Sequence, residues 1–475
     1  MARINTNVPA LVAVTDLKTN YADLNQSMRR LSSGLRINRG ADDPAGLIAS
    51  ETLRSEISSL TQAIRNSERA SNVIATAEGA LNEINALLIS IQGKIVEAAN
   101  TGAMSPEEIR ANQLQVDSAV DSITRIANST TFAGLSLLNG NLDYVTSGVD
   151  ETQVANVEVF GVQFGTNETM PVDVNVFTSA RTATLSFQTS QISESVTIEV
   201  AGNQGVETFT FISGTAASAI LFAVNRSVDA TGVEATLINV SNASSGITFQ
   251  SMDYGSSKFV SVQALTGTFD VADEDGNTKQ RDIGADATAS VNGAVTVGDG
   301  LTLTLNTTSL DLELTLAEDF GAGTTRFDIT GGGALFQLGP DVDGNEQVNI
   351  GIKSVAASKL GAGTTGYLTD VVTGGQFSLV ADEAAMASDI VDIAVRQISV
   401  LRGRLGAFEM NTLETNISSL QVALENVTSS ESAIRDTDFA AETAQLTRSQ
   451  ILVNANMSVL AVANQTPKAV LSLLG

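Results

Sequence analysis

The chain has 475 residues, 43% of them hydrophobic, and carries a net charge of -27 with no His, no Cys and no Trp. That triple absence removes Ser-His-Asp and Cys-His nucleophile chemistry, zinc held by His or Cys, and disulfides. The length exceeds the ~250 residues at which single cores stop growing, so several domains are expected, and the acidic excess argues against nucleic acid as a partner.

The acid is unevenly placed. Residues 1–140 carry 12 Lys and Arg against 14 Asp and Glu, and residues 376–475 carry 6 against 11, whereas residues 141–375 carry 8 against 28. Residues 1–17 lack the basic and unbroken apolar regions of a cleavable signal peptide. No run of ~18 uninterrupted apolar residues predicts membrane insertion. From Leu11 the apolar positions Leu11, Val14, Leu17, Tyr21, Leu24, Met28, Leu31 and Leu35 step by three and four, which is a heptad seam. Asp43 before Pro44 is a helix start, and a long second helix follows through Leu60, Ile74, Leu81, Leu88 and Ile95 until Asn100 and Gly102. Ser105-Pro106-Glu107-Glu108 reads as a capping box opening a third helix with Val116, Val120, Ile123 and Ala127 on its apolar face.

The period then changes to two. Val196-Thr197-Ile198-Glu199-Val200, Leu301-Thr302-Leu303-Thr304-Leu305 and the run from Leu310 to Leu316 alternate as half-buried strands do. Of the 17 Phe, 13 lie between Phe160 and Phe336, so aromatic packing belongs to this part. At the far end Leu401, Leu405, Phe408, Leu413, Ile417, Leu420, Leu424, Val427 and Ile434 restore the three-four step, and residues 407–474 contain no Gly. Asp436-Thr437-Asp438 caps a last helix striped by Leu446, Val453, Met457 and Leu460. The fold class is therefore α+β multidomain, with a long α-helical coiled-coil or bundle core formed by both chain ends and a β-rich central insertion domain. The seams suit an intramolecular bundle or helices of neighbouring copies. Their narrow stripes and scarcity of aromatics favour the copies.

The run LSSGLRINRGADDPAGLIAS (31–50), with TAEGALNEI (76–84), NSTTFAGLSLLNG (128–140) and residues 402–475 nearly throughout, resembles bacterial flagellin. TIEVAG (197–202) and AVNRSVDATGVEATL (223–237) resemble the flagellin hook IN motif, with Val224-Asn225 at its core. The resemblance implies an N-terminal inner coiled-coil helix over 1–43, N-terminal rod helices with a β-hairpin region over 44–175, and a β-rich surface insert over 176–334. A C-terminal part of the rod then occupies 335–436, and a C-terminal inner helix 437–475. It implies a subunit of the flagellar filament that is exported unfolded by the flagellar type III system to the cell exterior. It also implies partners: further copies as a homopolymer, an export chaperone, and the filament cap and hook–filament junction proteins.

Neither a catalytic residue nor a cofactor site is expected. The residues expected at the polymerisation interface are Leu24, Met28, Leu31, Leu35, Leu446, Val453, Met457 and Leu460, with Arg36 and Arg54 as inter-subunit ion-pairing groups. The runs from Asp273 to Asn277 and from Asp341 to Asn345 place Gly at the fourth position, which fails calcium-loop spacing and reads as a turn. The sequons at Asn239 and Asn242 carry no weight in a chain this rich in Asn, Ser and Thr. Three other readings stand beside the filament subunit: the hook–filament junction protein, a carboxylate enzyme in the insert, and an adhesin there. The enzyme lacks the aromatics of a sugar cleft, since the chain has four Tyr and no Trp.

Overall fold

Three helices open the chain, and each begins where the sequence offers a side chain to cap it. Ahead of α1 (Val8–Ser33) the Asn7 carboxamide accepts the Ala10 N–H at 3.1 Å, and Gly34 ends the helix in the left-handed region at φ 74°. Asp43 accepts the Gly46 N–H at 2.9 Å at the start of α2 (Pro44–Ala98). Ser105 and Glu108 form the expected reciprocal box ahead of α3 (Pro106–Ser129). The computed structural model describes residues 6–471 apart from 166, 240, 241, 243, 244, 364 and 382, with side chains to 465. Both sequons therefore fall partly outside the described residues, as do residues 472–475.

The central β region holds two cores. In the first, a five-stranded antiparallel sheet is built around Met170–Thr178, which pairs with Thr288–Val291 on one side and Gly323–Gly332 on the other. A six-stranded sheet contains the paired strands Val154–Val162 and Leu310–Leu316. Leu310, Leu312, Leu314 and Leu316 are all buried, as their alternation demanded, in one cluster with Val159, Val172, Val174 and Phe327.

The second core lies between Ala183 and Asp282 and packs a three-stranded and a four-stranded sheet with α4 (Ala217–Asn225) and the single turn α5 (Val228–Thr231). Phe187 and Phe269 stack at 4.1 Å inside it. The Asn225 carboxamide behaves like a piece of strand, accepting the Ala235 N–H at 2.7 Å and donating to the Ala235 carbonyl at 2.9 Å, while Val224 is buried. That is the physical reason for a Val-Asn pair at the centre of the motif found in the sequence.

The expected boundary at 175/176 falls inside the strand Met170–Thr178. Periodicity marks a strand but not which distant strand it joins. The join between the cores is narrow: Arg181 and Ala285 exchange both backbone hydrogen bonds, at 2.8 and 2.9 Å.

After the β region α6 (Ala384–Phe408) passes through a π-helical turn, Glu409–Glu414, directly into α7 (Thr415–Arg435), and α8 (Phe439–Leu471) closes the chain. Asp438 caps α8 through the Ala440 and Ala441 amides. The chain divides into two compact units, residues 1–72, 337–342 and 407–475 in one and residues 73–336 and 343–406 in the other. In the first, Leu60, Ala63 and Leu420 are buried against Ile64, Leu424 and Val427. In the second, Ile74, Leu81, Ile84 and Leu88 of α2, Val116 and Ile123 of α3, and Ile390 and Ile398 of α6 are buried, alongside both β cores.

Candidate assembly surface

Within the first unit α1 and α8 run antiparallel. Asn7 donates to the Ala463 carbonyl at 2.8 Å near one end, and Arg30 meets Glu442 at 3.5 Å near the other. On α8 the covered positions are Glu442, Leu446, Ser449, Val453, Asn456, Leu460 and Ala463, a strict alternation of four and three. On α1 and its cap the covered positions are Asn7, Ala10, Ala13, Leu17, Asn20, Leu24, Gln26, Ser27, Arg30 and Leu31. Ala13, Ser27, Ser449 and Ala463 are the buried small residues of this contact. Most of the larger apolar side chains remain accessible: Leu11, Val14, Tyr21 and Met28 of α1, and Ile451, Leu452, Met457, Val459 and Val462 of α8, stay 40% to 65% exposed.

The single seam expected on α1 is thus two stripes. Leu17, Leu24 and Leu31 are covered in the pair with α8, whereas Leu11, Val14 and Met28 stay exposed, as does Tyr21, whose hydroxyl meets the Met457 sulfur at the edge of the pair. A reading that follows large apolar residues passes over Ala13 and Ser27, whose smallness admits the neighbouring helix. Of the expected interface residues, Val453 is buried, Leu24, Leu31, Leu35, Leu446 and Leu460 are half-buried, and Met28 and Met457 are exposed.

The signature around residue 36 closes a backbone junction. Leu35 bridges Asp436, the Arg36 N–H donates to the Arg435 carbonyl at 2.7 Å, and the Thr437 N–H donates to the Gly34 carbonyl at 2.9 Å. The Arg36 guanidinium donates twice to the Ile434 carbonyl, capping the exposed end of α7. Arg36, expected to pair with another subunit, is therefore engaged inside its own chain, with a partner 398 residues away. Arg54 forms an exposed pair with Glu51 at 3.1 Å. Glu51 also accepts from Arg435 at 2.8 Å, and that hydrogen bond, aided by Arg54, holds its carboxyl below the usual range.

Gly46 is a residue the sequence reading left without a role. A Cβ there would collide with the Asp43 carboxylate that caps α2 and would stand 2.7 Å from Cδ1 of Ile37, which is 1% exposed. Gly46→Ala gains ~1 kcal/mol of helix propensity but forces the overpacking cost of ~1–3 kcal/mol. A net loss of about 1 kcal/mol is expected in urea unfolding of the subunit. An unchanged or raised midpoint would show that the junction relaxes freely.

In the second unit a cluster of charges joins α6 to the outer face of the six-stranded sheet. Glu158 and Glu313 are direct cross-strand partners. Lys353 pairs with Glu158 at 2.7 Å, and Arg404 pairs with Asp311 at 3.1 Å while lying 3.2 Å over the Phe160 ring. Burial, and then Glu158, raise the Glu313 carboxyl above its ordinary value. A raised carboxyl is a cost that is present above its folded pKa and disappears as pH falls through it. Glu313→Gln should therefore raise the melting temperature at pH 7 by on the order of 1–3 °C, with wild type and variant converging in acid. A melting temperature lowered at pH 7 would refute this.

The acidic turn at 273–277 uses its own carboxylate. Asp273 is taken by Lys279 at 2.6 Å and by the Asn277 amide at 2.8 Å, which together push it down to about 2. At the other turn Asp343 accepts the Asn345 and Glu346 amides. No group of three or more Asp and Glu able to hold a metal occurs among the described residues.

Comparison with known proteins places this geometry in context. The family models described as the bacterial flagellin N-terminal and C-terminal helical regions match residues 4–143 and 388–474. The chain is 30% identical to the B-type flagellin of Pseudomonas aeruginosa, and 28% identical to the flagellin of Salmonella typhimurium, in each case over 99% of both chains. Among solved structures it is similar to the D2-D3 domains of the flagellar cap protein from Escherichia coli, at 17% identity over 40% of this chain and 99% of that one, with a TM-score of 0.29. It is also similar to flagellar hook associated protein-3 from Legionella pneumophila, at 12% identity over 80% and 97%, with a TM-score of 0.31. Superpositions this loose carry no detail across.

Proposed function

The chain belongs to the bacterial flagellin family, and from that membership we propose that the paired helices α1 and α8 are the surface through which its copies stack as the structural subunit of the flagellar filament. The observation that carries this reading is the division of labour on the pair. The contact inside the chain covers small residues, Ala13, Ser27, Ser449 and Ala463, together with Leu17, Leu24, Leu31, Leu446, Val453 and Leu460, and a further set of larger apolar side chains stays exposed. Soluble monomers rarely expose contiguous apolar surface beyond a few hundred Å². Burying Leu, Val, Ile or Met returns ~1.5–3 kcal/mol each, so a second copy is the natural cover. On this reading Met28 and Met457 contact a neighbouring subunit directly, whereas Leu24, Leu31, Leu446 and Leu460 shape the pair that presents them.

The role is structural, and no catalysis is assigned to the β region. Export by the flagellar type III system to the cell exterior, a chaperone that covers α8 beforehand, and contact with the cap and junction proteins belong to the same proposal. Nucleic acid and membrane have no part in it. No helix among the described residues is long and apolar enough to cross a membrane. The junction-protein alternative is disfavoured because curated flagellins match over 99% of their length.

Salt-induced assembly followed by electron microscopy and hydrogen exchange tests the proposal. Long filaments are expected, with amides of α1 and α8 far more protected in the polymer than in the free subunit. Short rings, or equal protection in both states, would overturn it.

A further inference from the structure

Beside the charge cluster of the second unit lies a hollow of about 280 Å³. Phe160, Leu360, Ile393 and Leu401 line it, with Val400, 53% exposed, at its edge. Four cations also line it, Lys353, Lys359, Arg396 and Arg404, against two carboxylates, Glu158 and Glu313. Two of them are already spoken for, Lys353 by Glu158 and Arg404 by Asp311. Lys359 and Arg396 are exposed, and their side chains make no hydrogen bond or ion pair among the described residues. The setting makes this gathering informative, because residues 141–375 hold 8 Lys and Arg against 28 Asp and Glu, and two of the eight are Lys353 and Lys359.

We propose that this hollow is a socket for an acidic side chain of a second copy of the chain, its carboxylate taken by Arg396 and Lys359 and its methylene stem lying against Leu401 and Val400. The proposal rests on the assembly reading above and adds to it a polar contact far along the sequence from α1. A guanidinium presents paired N–H donors to a carboxylate, and a lysine beside it adds a point charge. The apolar wall is what a Glu stem can cover and a free inorganic anion cannot. With 53 Asp and Glu against 26 Lys and Arg, the chain itself is the most abundant source of such a group wherever copies are packed together. Complementary charges at an interface fix register and speed encounter, and they weaken in salt.

The chain has no Cys, so a single thiol reports without background. Arg396→Cys carrying a thiol-linked photo-crosslinker is assembled with wild-type subunits, irradiated and digested. The expected result is a crosslink between copies, present in polymer and absent from free subunit, to a peptide with an Asp or Glu within reach. Crosslinks confined to one chain, or to a peptide without a carboxylate, overturn the socket. In parallel, Lys359→Glu with Arg396→Glu is expected to raise the critical concentration about tenfold at low salt and less at high salt, with circular dichroism of the free subunit unchanged. Arg396→Lys should recover most of the loss. Unaltered assembly by the double variant at every salt concentration overturns the socket while leaving the α1 and α8 surface intact, whereas failure of the wild type to polymerise overturns the assembly reading itself.

Discussion

A chain in which Asn-Gly replaces residues 182–284 is expected to fold its remaining parts and to polymerise like the full-length subunit, whereas excising residues 176–330 is expected to leave no soluble protein. The difference follows from where the two β cores separate. Arg181 and Ala285 exchange both backbone hydrogen bonds, which is the geometry of the residues that flank a two-residue hairpin turn. A type I′ turn can join them without moving either strand. Asp286 loses both the Ser256 amide and the Ser256 hydroxyl on this deletion but keeps the Gly300 amide at 2.9 Å. The first core keeps every strand.

The longer excision instead removes Thr288–Val291, Leu310–Leu316 and most of Gly323–Gly332, so Val159, Val172 and Val174 lose the faces that bury them. Each large apolar side chain uncovered in this way costs ~2–5 kcal/mol, far more than a domain's margin of stability when several act together. Circular dichroism and sedimentation of polymer decide the matter. Aggregation of the 182–284 deletion would show that the cores depend on each other, and a soluble, β-rich product from the 176–330 deletion would show that the strands counted here as one core are not.

The contrast between those two deletions also shows how far the sequence could be read. Capping residues, the heptads of α2 and α3 and the alternation from Leu310 to Leu316 are local patterns, and the structure contains each of them. The separation of the β region into two cores depends on pairings such as Thr178 with Thr288 and Thr325 with Val174, which join residues more than a hundred positions apart and leave no periodic trace. The same reason hid the capping of α7 by Arg36. The contact of α1 with α8 was legible in part, through Leu17, Leu24, Leu31, Leu446, Val453 and Leu460. Ala13, Ser27, Ser449 and Ala463 work by being small, and a search for large apolar residues passes over them and takes in exposed neighbours such as Leu11 and Met28. A glycine such as Gly46 is equally silent, since its role is the absence of a Cβ beside Asp43 and Ile37.

Those exposed neighbours give the sharpest test of how copies meet. Tyr21→Lys with Met28→Lys is expected to leave the free subunit as helical as wild type and to abolish sedimentable polymer. Both side chains are exposed, at 42% and 45%, and among the described residues their bond to α8 is a weak donation from the Tyr21 hydroxyl to the Met457 sulfur at 4.0 Å. If a neighbouring subunit covers them, losing two apolar contacts of ~1.5–3 kcal/mol each raises the critical concentration by two orders of magnitude or more. The cost of burying the introduced ammonium groups adds to this. Val453→Lys provides the opposite pattern, because Val453 is 5% exposed inside the contact between α1 and α8. A lysine there disrupts the pair in the free subunit, so helix content should fall before any assembly is attempted. Filaments formed by the Tyr21 and Met28 variant at wild-type concentrations would mean that the outward stripe stays uncovered in the polymer, and loss of helix in its free subunit would mean that the stripe belongs to the intrachain contact after all.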